Sequence, residues 1–249
     1  MDGYIDKKLK KISETKKLLK AFSKEKNLPS GIKKEIAHLS KEILVYENDE
    51  RGRKKWGKEK NSYNFKKIQI GGGAHALKGF LNIDIFPPAE LICDVRKGLP
   101  IEDGCSELIF SEHFLEHIDY PLSVKKILKE CHRILEPKGK MIIGVPDGKL
   151  IAKNYLQQNL KFYKDVIDKW YSKRDFLGHI NTYIDLLNYH FRDQDDSEKY
   201  NPHIWTYDYE KLDFLLREAG FSSIKKWNFD KKIANPKRRF GSIYVVGVK

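Results

Sequence analysis

Three consecutive glycines, Gly71, Gly72 and Gly73, follow the short apolar run Ile68-Gln69-Ile70, and two acids close the next apolar runs: Asp84 in Asn82-Ile83-Asp84-Ile85 and Asp94 in Ile92-Cys93-Asp94-Val95. Glycine accepts positive φ and carries no side chain, so such a turn lets backbone approach a bound ligand. A carboxylate at one strand end suits a ribose diol, and an acceptor at the next suits an adenine amine. Together these residues outline a nucleotide site. Glycine-rich turns are common and most are only turns, so the ordered series of turn, acid and acid carries the reading.

Positioning those residues requires short strands, and the pattern from Lys66 onward supplies them. Apolar runs bounded by Gly, Pro or acidic residues predict strands at 66–70, 80–84, 91–95, 106–111 and 139–145. Between the last two, Val124, Ile127, Leu128, Cys131, Ile134 and Leu135 share a helical face, with Pro121 near its start and Pro137 at its end. Leu212, Leu215, Leu216 and Ala219 mark another helix, with Thr206 a candidate N-cap and Gly220 its stop. Final strands near 223–229 and 242–248 are joined by the basic turn Asn235-Pro236-Lys237-Arg238-Arg239. That link is too short for a crossover helix, so the two must pair antiparallel. The alternation of strand and helix predicts an α/β layer with a mostly parallel sheet.

Residues 148–206 interrupt this scheme with an insert rich in aromatic and polar groups: Tyr155, Phe162, Tyr163, Trp170, Tyr171, His179, Tyr183, Tyr189, His190, Tyr200, His203 and Trp205. Open α/β sheets bind ligands at the carboxyl ends of their strands. An insert leaving the fifth strand is therefore expected to form a lid and a substrate-pocket wall.

The 249 residues divide into a basic N-terminal arm and linker, 1–64, and a main domain, 65–249. Residues 1–67 hold 20 Lys and Arg against 10 Asp and Glu, which accounts for most of the formal net charge of +13. In the arm, Ile5, Leu9, Ile12, Leu19 and Phe22 recur at helical spacing, as do Ile32, Ile36, Leu39 and Ile43 after Pro29-Ser30-Gly31. Two amphipathic helices are expected, then a charged linker or third short helix from Asn48 to Asn64. The hairpin should pack on the main domain or on a second copy; its lysines also leave nucleic-acid binding open. No apolar run is long enough to span a bilayer, and the start lacks a signal-peptide core, so a cytoplasmic protein is expected. Cys93, Cys105 and Cys131 are odd in number within apolar stretches, which fits reduced, packed thiols; their spacing offers no zinc site, and no metal is expected.

In order, the motifs Ile68 to Gly73, Asn82-Ile83-Asp84, Leu99-Pro100-Ile101-Glu102-Asp103-Gly104, Ile109 to His117, Leu128 to Gly139, Val145-Pro146-Asp147 and Glu218-Ala219-Gly220-Phe221 resemble the class I S-adenosylmethionine-dependent methyltransferases, nearest the type 11 subgroup. The resemblance covers roughly residues 66–249. It implies a Rossmann-like seven-stranded sheet with an antiparallel last strand, and S-adenosylmethionine as cofactor. By that likeness Gly71, Gly72 and Gly73 lie against the methionine part, Asp84 takes the ribose hydroxyls, and Ile85 covers adenine. Asp94 takes the adenine amine beside the Val95 backbone, and the end of the fourth strand, Ser111, Glu112 and His113, meets the methionine amino group. Two departures stand out. Gly73 and Asp84 are too close for the usual intervening helix, so that helix is expected to be shortened or replaced by a loop around His75 to Gly79, and Pro137-Lys138-Gly139 replaces the usual Pro-Gly-Gly turn.

A nicotinamide enzyme is the enzyme alternative, because Gly71 to Ala76 fits G-x-G-x-x-A. In that fold the acid follows about 20 residues later through a helix; here it comes too soon, and the antiparallel end does not fit. For methyl transfer, positioning supplies much of the acceleration, and a hydroxyl acceptor gains from a general base. His113, Asp147 and His203 are the candidates. The mixed aromatic and polar insert suits a small or glycan-type acceptor, methylated on oxygen; an RNA or protein acceptor would use the arm, and a non-catalytic cofactor-binding or scaffolding protein is the remaining alternative.

Overall fold

A computed structural model describes residues 2–166, 168–169, 182–192 and 202–249. Two helices, α1 (Asp2–Phe22) and α2 (Ser30–Glu59), precede β1 (Lys67–Ile70), β2 (Leu81–Asp84), β3 (Leu91–Ile92) and β4 (Ser106–Glu112). Then come α3 (Leu122–Ile134), β5 (Leu135–Pro146), α4 (Gly148–Leu156), α5 (Leu160–Val166) and α6 (Tyr183–Arg192), and finally α7 (Tyr209–Glu218), β6 (Ser222–Lys226) and β7 (Ser242–Val248).

The strands form one seven-stranded sheet in the order β3-β2-β1-β4-β5-β7-β6. β1 pairs in parallel with β2 and β4, as do β2 with β3 and β4 with β5, while β7 runs antiparallel to both β5 and β6. The seven-stranded, mostly parallel sheet with its terminal antiparallel hairpin is thus as the sequence implied. The β-branched residues Ile68, Ile83, Ile109, Val145 and Val245 are buried at the centre of the sheet, where strands covered on both faces favour such side chains. The α3 face of Val124, Ile127, Leu128, Cys131 and Ile134 packs into the same core as Leu212, Leu215 and Leu216 of α7. From β1 the chain proceeds outward to β2 and β3, then returns to place β4 on the opposite side. That reversal opens a crevice beyond the carboxyl ends of β1 and β4, where ligands bind in open α/β sheets.

Several local expectations need correction. The charged stretch from Asn48 continues as α2 to Glu59, followed by a single 3₁₀ turn, because its inward positions Asp49 and Trp56 are buried against the main domain. Trp56 donates to the Pro100 carbonyl at 2.8 Å and joins the sheet's core. β3 is only two residues long, and Val95–Lys97 form a 3₁₀ turn capped by the Asp94 side chain. α3 ends at Ile134, before Pro137, since β5 already begins at Leu135. The Pro137-Lys138-Gly139 stretch is accommodated as an irregularity in β5, with Lys138 at a φ of +69°. Asp208, not Thr206, caps α7, its carboxylate accepting from the Lys211 amide at 2.8 Å. Gly220 does stop that helix, at a φ of +104°.

Cys93 and Cys131 are buried, and burial pushes both thiols up to about 12, so they are packing groups rather than nucleophiles. Among the described residues no helix is long and apolar enough to cross a membrane.

Candidate active site

The glycine turn takes the form its composition demands. Gly71 and Gly73 have φ of +72° and +53°, a region open to glycine at little cost. A Cβ on Gly71 would overlap the Phe114 ring, so this glycine also lets the β4 loop close over the turn. Above Gly73, by contrast, a Cβ would meet nothing within 4 Å, which leaves open space for a ligand. The Asp84 carboxylate accepts from the Gly73 amide at 2.9 Å and from the Phe86 amide at 3.1 Å, tying the end of β2 to the turn. Each oxygen thereby keeps acceptor capacity for a diol.

Between β1 and β2 the chain forms a loop in place of a first helix, braced from below. The Gln69 side chain accepts from the Leu77 amide at 2.8 Å and donates to the His75 carbonyl at 3.1 Å. Asn82 accepts from the same Leu77 amide at 2.9 Å and donates to the Phe80 carbonyl at 3.1 Å. Both side chains are buried, so the polar network does the positioning that helix packing would otherwise do. His75 is exposed on this loop.

The Asp94 carboxylate is gripped by Arg96, whose Nε lies 2.9 and 3.1 Å from its two oxygens and whose second nitrogen donates at 3.0 Å. Hydrogen bonding to Asp94 raises the Arg96 pKa, with Glu42 adding to it. An adenine amine would share an oxygen with this clamp. Behind it, buried Asp49 of α2 accepts from the Asp94 amide at 2.8 Å, from Arg53 at 2.6 Å and from Lys97 at 2.9 Å. Burial opposes ionisation of Asp49, but these donors outweigh it and hold the carboxyl below its ordinary range. Asn48 donates to the Ile85 carbonyl at 2.9 Å. The arm therefore braces both the Asp84 and Asp94 ends of the crevice, a role that the pattern of charges did not disclose.

At the end of β4, Ser111 and Glu112 are buried. The Glu112 side chain points into a scaffold: Tyr244 donates to it at 2.7 Å and the Asn235 amide at 3.1 Å, with Arg238 at 3.6 Å. Burial raises its pKa against the opposing pull of these donors. Glu112 thus fastens β4 to β7 and to the basic turn.

His113 has a φ of +52°, an unusual conformation for a residue with a Cβ, and is held there by its amide donating to Gly144 at 2.8 Å. Its Nε2 lies 2.8 Å from Ser242 Oγ, and its Nδ1 lies 3.6 Å from Oε1 of buried Glu116. Burial first, then nearby Arg238 and the neighbouring histidines, push His113 well below its ordinary pKa, so it is neutral at physiological pH. From the other side, the returning segment docks on the 3₁₀ turn Leu115–His117: the Ile204 amide donates to the Glu116 carbonyl at 2.7 Å. This docking brings His203 Nε2 to 4.0 Å from the same Glu116 Oε1 and sets its ring edge-on to His117, with centroids 5.0 Å apart. His113 and His203 are thus both brought to the same carboxylate oxygen of Glu116. Asp147 has a different local task, since its side chain accepts from the Leu150 amide at 3.1 Å and caps α4.

Much of the insert's aromatic content packs on itself. Tyr163 is buried with Ile151 in a small cluster that includes Tyr155, Phe162 and Tyr183. Trp205 stacks on Tyr120 with centroids 4.5 Å apart and remains partly exposed at the mouth of the return segment. His190 is buried and pushed down to about 3 by that burial. Trp170, Tyr171, His179 and Tyr200 lie outside the described residues.

Residues 78–143 match the family described as a methyltransferase domain, of type 11, a stretch running from just before β2 into β5. No curated protein matches the sequence. Among solved structures, a SAM-dependent methyltransferase from Thermotoga maritima is similar at 15% identity, covering 86% of this chain and 96% of its own, with a TM-score of 0.42. One from Methanosarcina mazei shares 15% identity over 75% of this chain and 93% of its own, with a TM-score of 0.44. One from Archaeoglobus fulgidus shares 15% over 80% and 94%, with a TM-score of 0.39. The match over residues 78–143 and the seven-stranded order with its antiparallel last strand agree with the methyltransferase resemblance drawn from the sequence, whose cofactor is S-adenosylmethionine.

Proposed function

We propose that this methyltransferase domain transfers the methyl group of S-adenosylmethionine to an oxygen of a small or glycan-type acceptor. The observation that carries the reading is the pairing of an open glycine-and-aspartate cradle with a histidine-lined wall at the adjacent strand end. Gly71 and Gly73 give backbone access for the methionine part, Asp84 takes the ribose, and Ile85, Asp94 and Val95 form the adenine side. The backbone of Ser111, Glu112 and His113 borders the amino group. When bound, the cofactor supplies a sulfonium methyl already activated toward a nucleophile.

What the chain must add is alignment and somewhere for the acceptor proton to go. His113 and His203 are the groups proposed to receive it, since both are placed by hydrogen bonds and face one carboxylate. Neutral His113 can accept a proton without first losing one. Asp147, fixed at the start of α4, is the remaining candidate and would act through a water or through orientation. The segment around Trp205 and Tyr120 supplies a stacking surface of the kind a sugar ring uses.

The arm is read as an assembly element for a second copy of the chain. Its outer side chains Leu18, Phe22, Ile32 and Leu39 are exposed, beyond the part of α2 that braces the cradle. Light scattering that finds only monomers would remove this assignment. If instead the arm binds RNA with steep salt dependence, the acceptor class changes with it.

Incubating the full chain with the cofactor and a panel of hydroxylated small molecules and sugar nucleotides, then reading mass gains of one methyl, tests the reaction directly. Methylation of an oxygen acceptor is expected. Gains only on RNA or protein would replace this acceptor class, and none with any acceptor class would favour a binding protein without turnover.

A further inference from the structure

We propose that Glu116, His117 and His203 form a binding site for a divalent first-row transition metal, of the zinc class, on the acceptor side of the crevice. One ligand atom from each of the three lies within 4.8 Å of the others, a spacing that a single ion could bridge. Two elements supply them: the 3₁₀ turn after β4 gives Glu116 and His117, and the returning segment gives His203. The sequence offers no familiar ligand spacing, because the two parts meet only after the insert has looped out and come back.

The hydrogen bonds around the rings fix which nitrogens carry the proton. His203 Nδ1 lies 2.9 Å from the His190 carbonyl oxygen, and a carbonyl only accepts, so Nδ1 carries the proton. Nε2 is then the unprotonated nitrogen, and it is the one that faces Glu116. His117 Nδ1 lies 3.3 Å from the Pro202 carbonyl, which by the same reasoning leaves its Nε2 as the donor to a metal. Metal-ligating histidines characteristically hand their other N–H to a backbone carbonyl in this way, which fixes tautomer and ring angle.

Two imidazoles and one carboxylate select borderline metals such as Zn²⁺, Fe²⁺ or Co²⁺ over Mg²⁺ or Ca²⁺, which prefer oxygen ligands. Three protein ligands among the described residues would leave a coordination position for a substrate, as in sites that handle substrate rather than only hold a fold. Burial suits the charge count, since a divalent ion set against the buried Glu116 carboxylate offsets it in a region of low dielectric. His113, whose Nδ1 is 3.6 Å from the same carboxylate, lies next to this set of ligands. In function the open position would hold an acceptor hydroxyl and lower its pKa; this role rests on the methyltransferase reading, whereas metal binding itself does not.

The test is a titration of the metal-free full chain with Co²⁺, followed by visible absorption, with Zn²⁺ added afterwards as competitor. One equivalent of Co²⁺ should bind with a ligand-field spectrum that Zn²⁺ abolishes, and Zn²⁺ should raise the melting temperature. His203→Ala and Glu116→Gln should each weaken binding at least ~10-fold and lose the metal-dependent thermal shift. Circular dichroism of each variant without metal checks that it is folded; for one that is not, His117→Gln, at the less buried of the two histidines, gives the same readout. No Co²⁺ spectrum in the wild-type chain, or an unchanged one in folded variants, would overturn the site and leave a hydrogen-bonded histidine–carboxylate cluster. Calorimetry with S-adenosylmethionine on the metal-free chain separates the two proposals. Cofactor binding without metal binding removes only the site, and metal binding without cofactor binding removes only the methyltransferase role.

Discussion

The two walls of the crevice are built in opposite ways. The proposed cofactor cradle comes from a short run of chain, Gly71 to Asp94, in which backbone amides and strand-end carboxylates are to do the work and α2 braces them from outside. The opposite wall joins the turn at Glu116 to a segment near His203 that is distant in sequence, and side chains do the work. A local, backbone-made site can serve one common cofactor across many acceptors. A wall closed by a long insert can change its acceptor without disturbing the cradle, so binding and chemistry should separate under mutation.

The largest expected effect is on the histidine wall. His113→Ala or His203→Ala should slow methyl transfer by about 10²- to 10⁴-fold with cofactor affinity nearly unchanged, as read by steady-state kinetics and calorimetry. If either substitution abolishes cofactor binding, the two walls are one unit and the contrast fails. Next is the brace behind the cradle. Asp49→Ala leaves Arg53 and Lys97, both partly exposed, without their shared carboxylate, and should cost about 2–3 kcal/mol in urea unfolding. Because the folded Asp49 pKa lies below its unfolded value of 3.8, this stability is present above that value and is lost as the pH falls through the folded one. The gap between wild type and variant should therefore hold at neutral pH and close in acid; a gap that grows on acidification would show that the cluster is not ionised as drawn.

Asp84→Ala removes the proposed ribose acceptor and should weaken cofactor binding by about 1.5–3 kcal/mol, roughly 10- to 150-fold. The smallest effect should follow removal of residues 1–28, which takes away α1 and its pairs Lys8–Glu50 and Lys16–Glu47 but leaves the bracing part of α2. Cofactor affinity should change by no more than about 0.5 kcal/mol, while light scattering should report a smaller assembly. A large loss of affinity would mean that α1 also supports the cradle.

The glycine turn and the strand-end acids of the proposed cradle were legible in the sequence because their signals are local. Glycines, β-branched runs and acids at strand ends each act within a few residues of their own position, and of the shortened helix or loop that the close spacing of Gly73 and Asp84 allowed, the chain takes the loop. The terminal hairpin was legible for the same reason, since a short link admits no crossover. Where tertiary contacts decide, the pattern misled. The stretch from Asn48 reads as a charged linker, yet burial of Asp49 and Trp56 holds it as helix. Asp208 takes the cap expected of Thr206, and Pro137 falls in a strand because Leu135 already pairs with Ser106. Of the proposed bases, His113 and His203 do converge, but Glu116 and His117 between them gave no signal beyond an acid and a histidine at a turn. Their meeting depends on where the insert returns, which no local pattern encodes.

The central claim, that the glycine-and-aspartate cradle is an S-adenosylmethionine site, is tested most directly by calorimetric titration of the full chain with S-adenosylmethionine and, separately, with NAD. Binding of S-adenosylmethionine in the micromolar range, about −7 to −8 kcal/mol, with no heat from NAD, is the expected result. Tight binding of NAD with none of S-adenosylmethionine would contradict it.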